Sequence, residues 1–199
     1  MLKIFNSMSR KVEEVKTDEV VKMYTCGPTV YSYPTIGNWR TYVLSDLINR
    51  VLSFGGKKVY LVMNLTDVGH LTGDNEGDAD TGVDRLEKAA AREKKTAWDI
   101  AKFYSDDFLK GFEKMNMLPP MKFAKATEYI EEQIKLVQEI ESRGFTYQIV
   151  DGIYFSVGDY EKTGNIYGKL SNLDVIKEGA RVEPNPEKKD PRDFALWKL

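Results

Sequence analysis

One short stretch concentrates the residues with chemical use. Cys26-Gly27 closes an apolar run that starts at Val20, and a loop with two prolines and two glycines carries on to Asn38. Gly37 has no Cβ, so a ligand can approach the backbone closely there. Thr35 and Asn38 flank it with neutral hydrogen-bond donors, and the free amides that open the next helix add positive potential. These features outline an anion site suited to a nucleotide phosphate. A plain strand-to-helix turn also uses Gly and Asn in this way, and composition does not separate the two. Neither Walker spacing nor G-x-G-x-x-G occurs, which removes the best evidence for P-loop and dinucleotide folds.

Cys26 sits on the same edge. A lone cysteine serves as a small buried hydrophobe or as a thiolate ligand. A zinc site needs about four ligands; His70 and nearby carboxylates are candidates, but their spacing argues nothing. Thr66-Asp67 follows the second apolar run and either orients a polar substrate group or caps the loop backbone. The acidic, glycine-rich stretch 69–84 offers no register with calcium-loop offsets, so a solvated loop is expected. Lys57-Lys58, Arg92-Lys94-Lys95 and Lys188-Lys189 are expected on solvated faces, where they could also meet RNA phosphates.

The elements that must position these residues follow from periodicity. Val20–Cys26 reads as a strand, residues 40–56 as a helix and residues 57–67 as a second strand, apolar on both faces from Val59 to Met63. Strand, helix, strand is a βαβ unit with its loops at one sheet edge, hence an α/β fold. In the helix, Val43, Leu47, Val51 and Phe54 recur at helical spacing, with Leu44, Ile48 and Leu52 beside them. A charged, alanine-rich helix is expected over 84–95. A second follows Thr96, an N-cap with Asp99 three residues on, and turns Ile100, Phe103, Phe108, Phe112 and Met115 to a core. Leu118-Pro119-Pro120 stops it. Residues 127–144 form an amphipathic helix with Ile130, Ile134 and Val137 on one stripe. Asp151-Gly152 predicts a type I′ hairpin turn.

Composition sets bounds. The 199 residues include 42% apolar ones, which is globular, and 29 basic against 31 acidic residues leave a formal charge of −2. No apolar run approaches the roughly 20 residues of a membrane helix, and the N-terminus is too polar for a secretory signal. One cysteine makes no internal disulfide, which points to a reducing cytosol, and one histidine excludes a site built from several imidazoles of this chain.

MLKIFNS, MYTCGPTVY, PTIGNWRTYVLSD, NLTDVG and DPRDFALWK occur in this order. The whole chain resembles the cysteinyl-tRNA synthetases, class I aminoacyl-tRNA synthetases, and the cysteine-glycine segment is specific to that family and its close relatives. The resemblance implies the first half of a class I Rossmann-like (HUP-type) nucleotide-binding domain, residues 1–115. It implies a smaller, incomplete α+β connective-peptide insertion over residues 116–199. The implied activity is ATP-dependent activation of cysteine to cysteinyl-adenylate, with Mg²⁺, and transfer to tRNA(Cys) in the cytoplasm. Thr35, Gly37 and Asn38 match the HIGH signature that holds ATP. Thr35 and Asn38 stand in place of both its histidines and carry the catalytic role by that likeness. Cys26 matches one ligand of the Zn²⁺ that binds the substrate thiolate; Gly27 and Thr66 match positions close to the substrate cysteine. A thiophilic metal would explain rejection of serine, whose hydroxyl is a poor ligand.

The family's other zinc ligands, KMSKS loop, second catalytic half and anticodon-binding region have no counterpart in these residues. The expectation is an N-terminal portion of such an enzyme, inactive alone, or a truncated relative. Two rivals remain: an ATP-dependent ligase joining cysteine to an amino sugar, and a non-catalytic paralogue that keeps a nucleotide or RNA surface.

Overall fold

The computed structural model describes residues 2–68, 95–170 and 185–198. The chain forms two compact units: the first holds the described residues up to Tyr129 and the second those from Ile130 onward. The acidic stretch 69–84, His70, Arg92 and Lys94, and the helix expected over 84–95, lie outside the described residues, Lys95 apart.

The first unit opens with an exposed antiparallel pair, β1 (Lys3–Asn6) and β2 (Lys11–Glu14). Strand β3 (Val20–Thr25) leads through the loop into α1 (Ile36–Phe54), and β4 (Lys58–Leu65) returns parallel to β3, with Val20 opposite Lys58 and Thr25 opposite Met63. Helix α2 (Ala97–Lys114) then leads to β5 (Lys122–Lys125), which lies parallel to β4. The sheet order is therefore β3-β4-β5, all parallel, as a βαβ reading requires. Position 115/116 falls between α2 and β5, and both belong to the first unit. Strand β5 has four residues, two of them lysines, so its sequence carries almost no apolar signal.

The core lies on one face of this sheet. Leu61, Met63 and Leu65 of β4 are buried, and Met63 and Leu65 pack with Tyr42 of α1 and Phe108 and Phe112 of α2. Trp39 stacks on Phe108 at 5.4 Å between ring centroids, and Tyr42 meets the same ring edge-on at 5.3 Å. The intervening β4 residues Tyr60, Val62 and Asn64 are half-buried. The unbroken apolar run from Val59 to Met63 therefore does not mean full burial on both faces: among the described residues one face is buried and the other half-buried.

Helix α1 corrects the expected core stripe. Its buried residues are Tyr42, Ser45, Asp46, Asn49 and Leu52, whereas Leu44, Leu47, Val51 and Phe54 are exposed, Phe54 at 97%. On the buried face the Asp46 carboxylate accepts the Leu118 backbone N–H at 2.7 Å and the Arg50 Nε–H at 2.7 Å. Arg50 in turn donates to the Asn116 carbonyl. These donors offset the cost of taking the Asp46 carboxylate out of water, so a polar residue is tolerated on the buried face. Helix α2 follows its pattern at Ile100, Phe108 and Phe112, with Tyr104 buried in place of the exposed Phe103 and Met115. Thr96 and Asp99 form the expected capping box.

The second unit contains α3 (Ile130–Ser142), β6 (Thr146–Ile149), β7 (Gly152–Phe155), α4 (Val157–Lys162) and β8 (Phe194–Lys198). The sheet β6-β7-β8 is antiparallel and separate from the parallel sheet. The hairpin differs from the expected turn. Ile149 pairs with Gly152, so Val150 and Asp151 form the loop, and neither has the positive φ that a type I′ turn demands. Gly152 serves a different purpose: a Cβ there would sit 2.3 Å from the Trp197 carbonyl oxygen of β8.

The DPRDF segment organises this unit. Asp193 is 2% exposed and accepts hydrogen bonds from Tyr147 Oη–H at 2.8 Å, Val157 N–H at 2.8 Å and Asp190 N–H at 3.1 Å. Burial, with Asp193 beside it, pushes the Tyr147 hydroxyl up to about 12. Hydrogen bonds from Arg192 hold Asp190 below the usual carboxylate range, and Arg192 also forks onto Glu161 at 3.0 and 3.1 Å. No helix among the described residues is long and apolar enough to cross a membrane.

Candidate active site

The carboxyl ends of β3 and β4 and the start of α1 share one edge of the parallel sheet, which is where open α/β sheets bind ligands. Cys26, the residue after β3, is exposed and is the free cysteine of the chain. Nearby, the Tyr42 hydroxyl is pushed up to about 12, first by burial and then by the electrostatic influence of the neighbouring Cys26 side chain. Among the described residues no group of three or more His, Cys, Asp or Glu could hold a metal ion. Among the described residues Cys26 alone could therefore supply no more than one corner of a tetrahedral zinc site.

Beyond Cys26 the chain keeps running beside β4. Thr66 N–H donates to the Pro28 carbonyl at 3.0 Å, Val30 N–H donates to the Thr66 carbonyl at 3.0 Å, and Thr29 pairs with Thr66 as an isolated parallel bridge. Gly27 is needed for this approach, because a Cβ there would fall 1.8 Å from the Asn64 carbonyl oxygen. Its N–H donates to Asn64 Oδ1 at 2.8 Å. The side chain of Asp67 is a structural cap: Oδ1 accepts Thr127 N–H at 3.1 Å and Oδ2 accepts the Thr127 hydroxyl at 2.6 Å. This fixes the 3-10 turn Ala126–Tyr129 to the end of β4.

Helix α1 starts four residues earlier than its apolar pattern. Thr35 is its N-cap, in a capping box with Asn38. Asn38 N–H donates to Thr35 Oγ1 at 3.3 Å, while Thr35 N–H and Oγ1–H donate to Asn38 Oδ1 at 2.8 and 2.7 Å. Because a backbone N–H can only donate, Oδ1 must face Thr35, which leaves Nδ2 as a free donor group. The first-turn amides of Ile36 and Gly37 precede any possible intrahelical acceptor. The first turn holds no acidic residue, so nothing in it neutralises the positive helix end. A Cβ at Gly37 would meet nothing closer than Thr35 Oγ1 at 3.6 Å, and φ there is not positive. The fold thus gives no steric reason for glycine at 37, in contrast to 27.

The sequence-predicted residues accordingly fall into one neighbourhood, with different local duties. Thr35, Gly37 and Asn38 form the helix start; Cys26, Gly27 and Thr66 form the adjoining strand ends. Sequence reasoning missed Asn64, which ties Gly27 to Thr66; its place inside an apolar strand, on the face opposite Met63, was the available signal. The basic pairs are engaged locally. Lys57 donates to the Thr17 carbonyl, Lys58 lies over Tyr60 at 5.1 Å, and Lys188 and Lys189 lie over Tyr154 and Tyr147 at 5.8 and 4.5 Å. Lys95 lies over Phe103 at 5.1 Å.

Comparison with known proteins agrees with this architecture. The family model for the tRNA synthetases class I (C) catalytic domain matches residues 12–199. Similar proteins include the cysteine–tRNA ligases of Zymomonas mobilis, 41% identical over 98% of this chain and 36% of that protein, and of Treponema denticola, 41% identical over 98% of this chain and 39% of that protein. That of Chlorobium luteolum is 40% identical over 99% of this chain and 40% of that protein. The chain spans about two fifths of the length of these relatives. Among solved structures, Mycobacterium tuberculosis methionyl-tRNA synthetase in complex with methionyl-adenylate is similar in fold, with a TM-score of 0.55 and 20% identity over 70% of this chain and 25% of that one. A parallel sheet with its cysteine, threonine and capped helix start at one edge, in a chain matched over residues 12–199, belongs to the class I (C) tRNA synthetase catalytic-domain family.

Proposed function

We propose that this chain is the N-terminal portion of a cytoplasmic cysteine–tRNA ligase, which activates cysteine with ATP and passes it to tRNA(Cys). The observation that carries this reading is the helix start at the sheet edge. An uncongested glycine, two free amides and a neutral carboxamide face outward beside an exposed cysteine and a tethered threonine. Thr35, Gly37 and Asn38 bind ATP: the amides and Asn38 Nδ2 donate to phosphate oxygens whose charge grows as the substrate carboxylate attacks the α-phosphate in line. Such preorganised donors are worth roughly 10²–10³ in rate each where water is excluded. Cys26, Gly27 and Thr66 line the place of the amino acid. Cys26 is one ligand of the zinc that selects the thiol, and Mg²⁺ accompanies ATP; both metals rest on family likeness, since the described residues hold no ligand cluster. The connective-peptide insertion, expected from about residue 116, begins after Tyr129 in this reading, because β5 is a strand of the parallel sheet.

Cysteine-dependent exchange of pyrophosphate into ATP tests it. The full-length protein should exchange and should charge tRNA(Cys), while the 199-residue chain should exchange faintly and charge none. Asn38→Ala should lower kcat for exchange by about 10²-fold with a smaller change in KM for cysteine. Robust charging by the 199-residue chain would overturn the division of labour. A full-length protein that is idle with tRNA and active on an amino sugar would replace the acceptor, and one with no exchange would leave a binding module.

A further inference from the structure

We propose that Asn64 is a positioning residue of the amino-acid site: it fixes the polarity of the Thr66 hydroxyl, so that its proton is left for an acceptor on the bound amino acid. The proposal rests on the reading above, in which Thr66 lies against the substrate cysteine. Asn64 occupies the next-to-last position of β4 and is half-buried. Its Oδ1 accepts Gly27 N–H at 2.8 Å and Tyr24 Oη–H at 3.1 Å, and its Nδ2 donates to Thr66 Oγ1 at 3.1 Å.

The orientation of the carboxamide is forced by chemistry. Gly27 N–H can only donate, so the atom facing it is oxygen, and the nitrogen must face Thr66. A threonine hydroxyl has one proton and two lone pairs. One lone pair receives Asn64, so the proton does not point there. The Thr66 backbone is already held on both sides by Pro28 and Val30. What remains variable at Thr66 is where its hydroxyl proton goes, and Asn64 decides that. A donor at this place favours an electron-rich acceptor, the sulfur or the carboxylate of an amino acid. Gly27, whose own N–H is taken by Asn64, contributes shape rather than a donor.

Asn64→Asp tests this with little change in shape. An aspartate keeps the acceptors for Gly27 and Tyr24 but removes the donor, so the Thr66 hydroxyl must turn its proton inward. In the full-length protein, kcat/KM for cysteine in pyrophosphate exchange should fall about 10–100-fold, the range for a hydrogen bond to a charged group. KM for ATP and the melting temperature should change little. Thr66→Val should cost a similar factor. Adding Asn64→Asp to Thr66→Val should cost less than about 2-fold more, because both changes remove one interaction. Multiplying losses would mean that the new charge or a structural defect acts independently of Thr66, and would overturn the proposal. So would Asn64→Asp or Thr66→Val with wild-type kinetics, the latter deciding the matter if the aspartate variant does not fold. Pairing cysteine with competitors separates the two acceptors: Thr66→Val should weaken inhibition by cysteamine if sulfur accepts, by 2-aminobutyrate if the carboxylate does, and unchanged inhibition by both would also overturn it. A wild-type protein with no cysteine-dependent exchange would instead overturn the functional reading and this inference together.

Discussion

Helices α1 and α2 open with the same device and opposite electrostatics. Each has a threonine N-cap in reciprocal hydrogen bonds with the third helical residue, Thr35 with Asn38 and Thr96 with Asp99. At α2 the partner is a carboxylate, which accepts the Thr96 hydroxyl at 2.6 Å and places a negative charge on the helix's positive end. That end is satisfied by its own chain. At α1 the partner is an amide, the first turn carries no acid, and donors remain. Equal capping geometry thus gives one helix that merely begins and one that begins with an unanswered positive potential. The DPRDF segment of the second unit makes the same point from the other side: its buried Asp193 accepts three hydrogen bonds from within the fold, so this part of the family pattern is architecture.

Exchanging the two partners tests the contrast most severely. Asn38→Asp should preserve the cap and leave stability within about 1 kcal/mol, yet cut pyrophosphate exchange by about 10² or more through repulsion of ATP. Asp99→Asn should leave exchange unchanged. Equal effects on activity would show that charge at the α1 start is irrelevant.

The two glycines come next. Gly27→Ala drives a Cβ into the Asn64 carbonyl and should lower unfolding free energy by about 3 kcal/mol. Gly37→Ala has room and removes a poor helix former, so denaturant unfolding should show a gain of up to about 1 kcal/mol, with loss of ATP binding. A Gly37→Ala protein that binds ATP normally would mean that no ligand approaches that backbone.

Removing either cap is gentler. Thr35→Ala and Thr96→Ala should each cost about 1 kcal/mol in denaturant unfolding, and only the first should also reduce exchange. The smallest effect is acid dependence. Hydrogen bonds from Thr96, hydroxyl first and backbone second, lower the Asp99 pKa. A lowered folded-state value means stability present above the usual carboxylate range and lost as pH falls through it. Thermal melts from about pH 6 to pH 3 should therefore show a small α2-linked loss that Asp99→Asn abolishes, and Asn38 should give α1 none.

What could be read from residues alone was what local chemistry dictates. The strand–helix–strand order, the Thr96 cap and the separate hairpin depend on neighbours a few positions apart, and the proposed site from Cys26 to Asn38 was suggested by turn residues and family likeness. Tertiary structure decided the rest. The buried Asp46 of α1 finds a donor in the Leu118 amide, 72 residues away, a partner that periodicity does not show, while Leu47 and Phe54 are exposed. Strand β5 exists because β4 supplies an edge to pair with, its own four residues having no pattern to announce it. Gly152 is glycine because β8, more than 40 residues later, passes 2.3 Å from where a Cβ would stand, and the turn before it has no need of one. Asn64 gained its meaning in the same way: a carboxamide in an apolar strand becomes a bridge between two strand ends only when parallel pairing brings Gly27 within 2.8 Å.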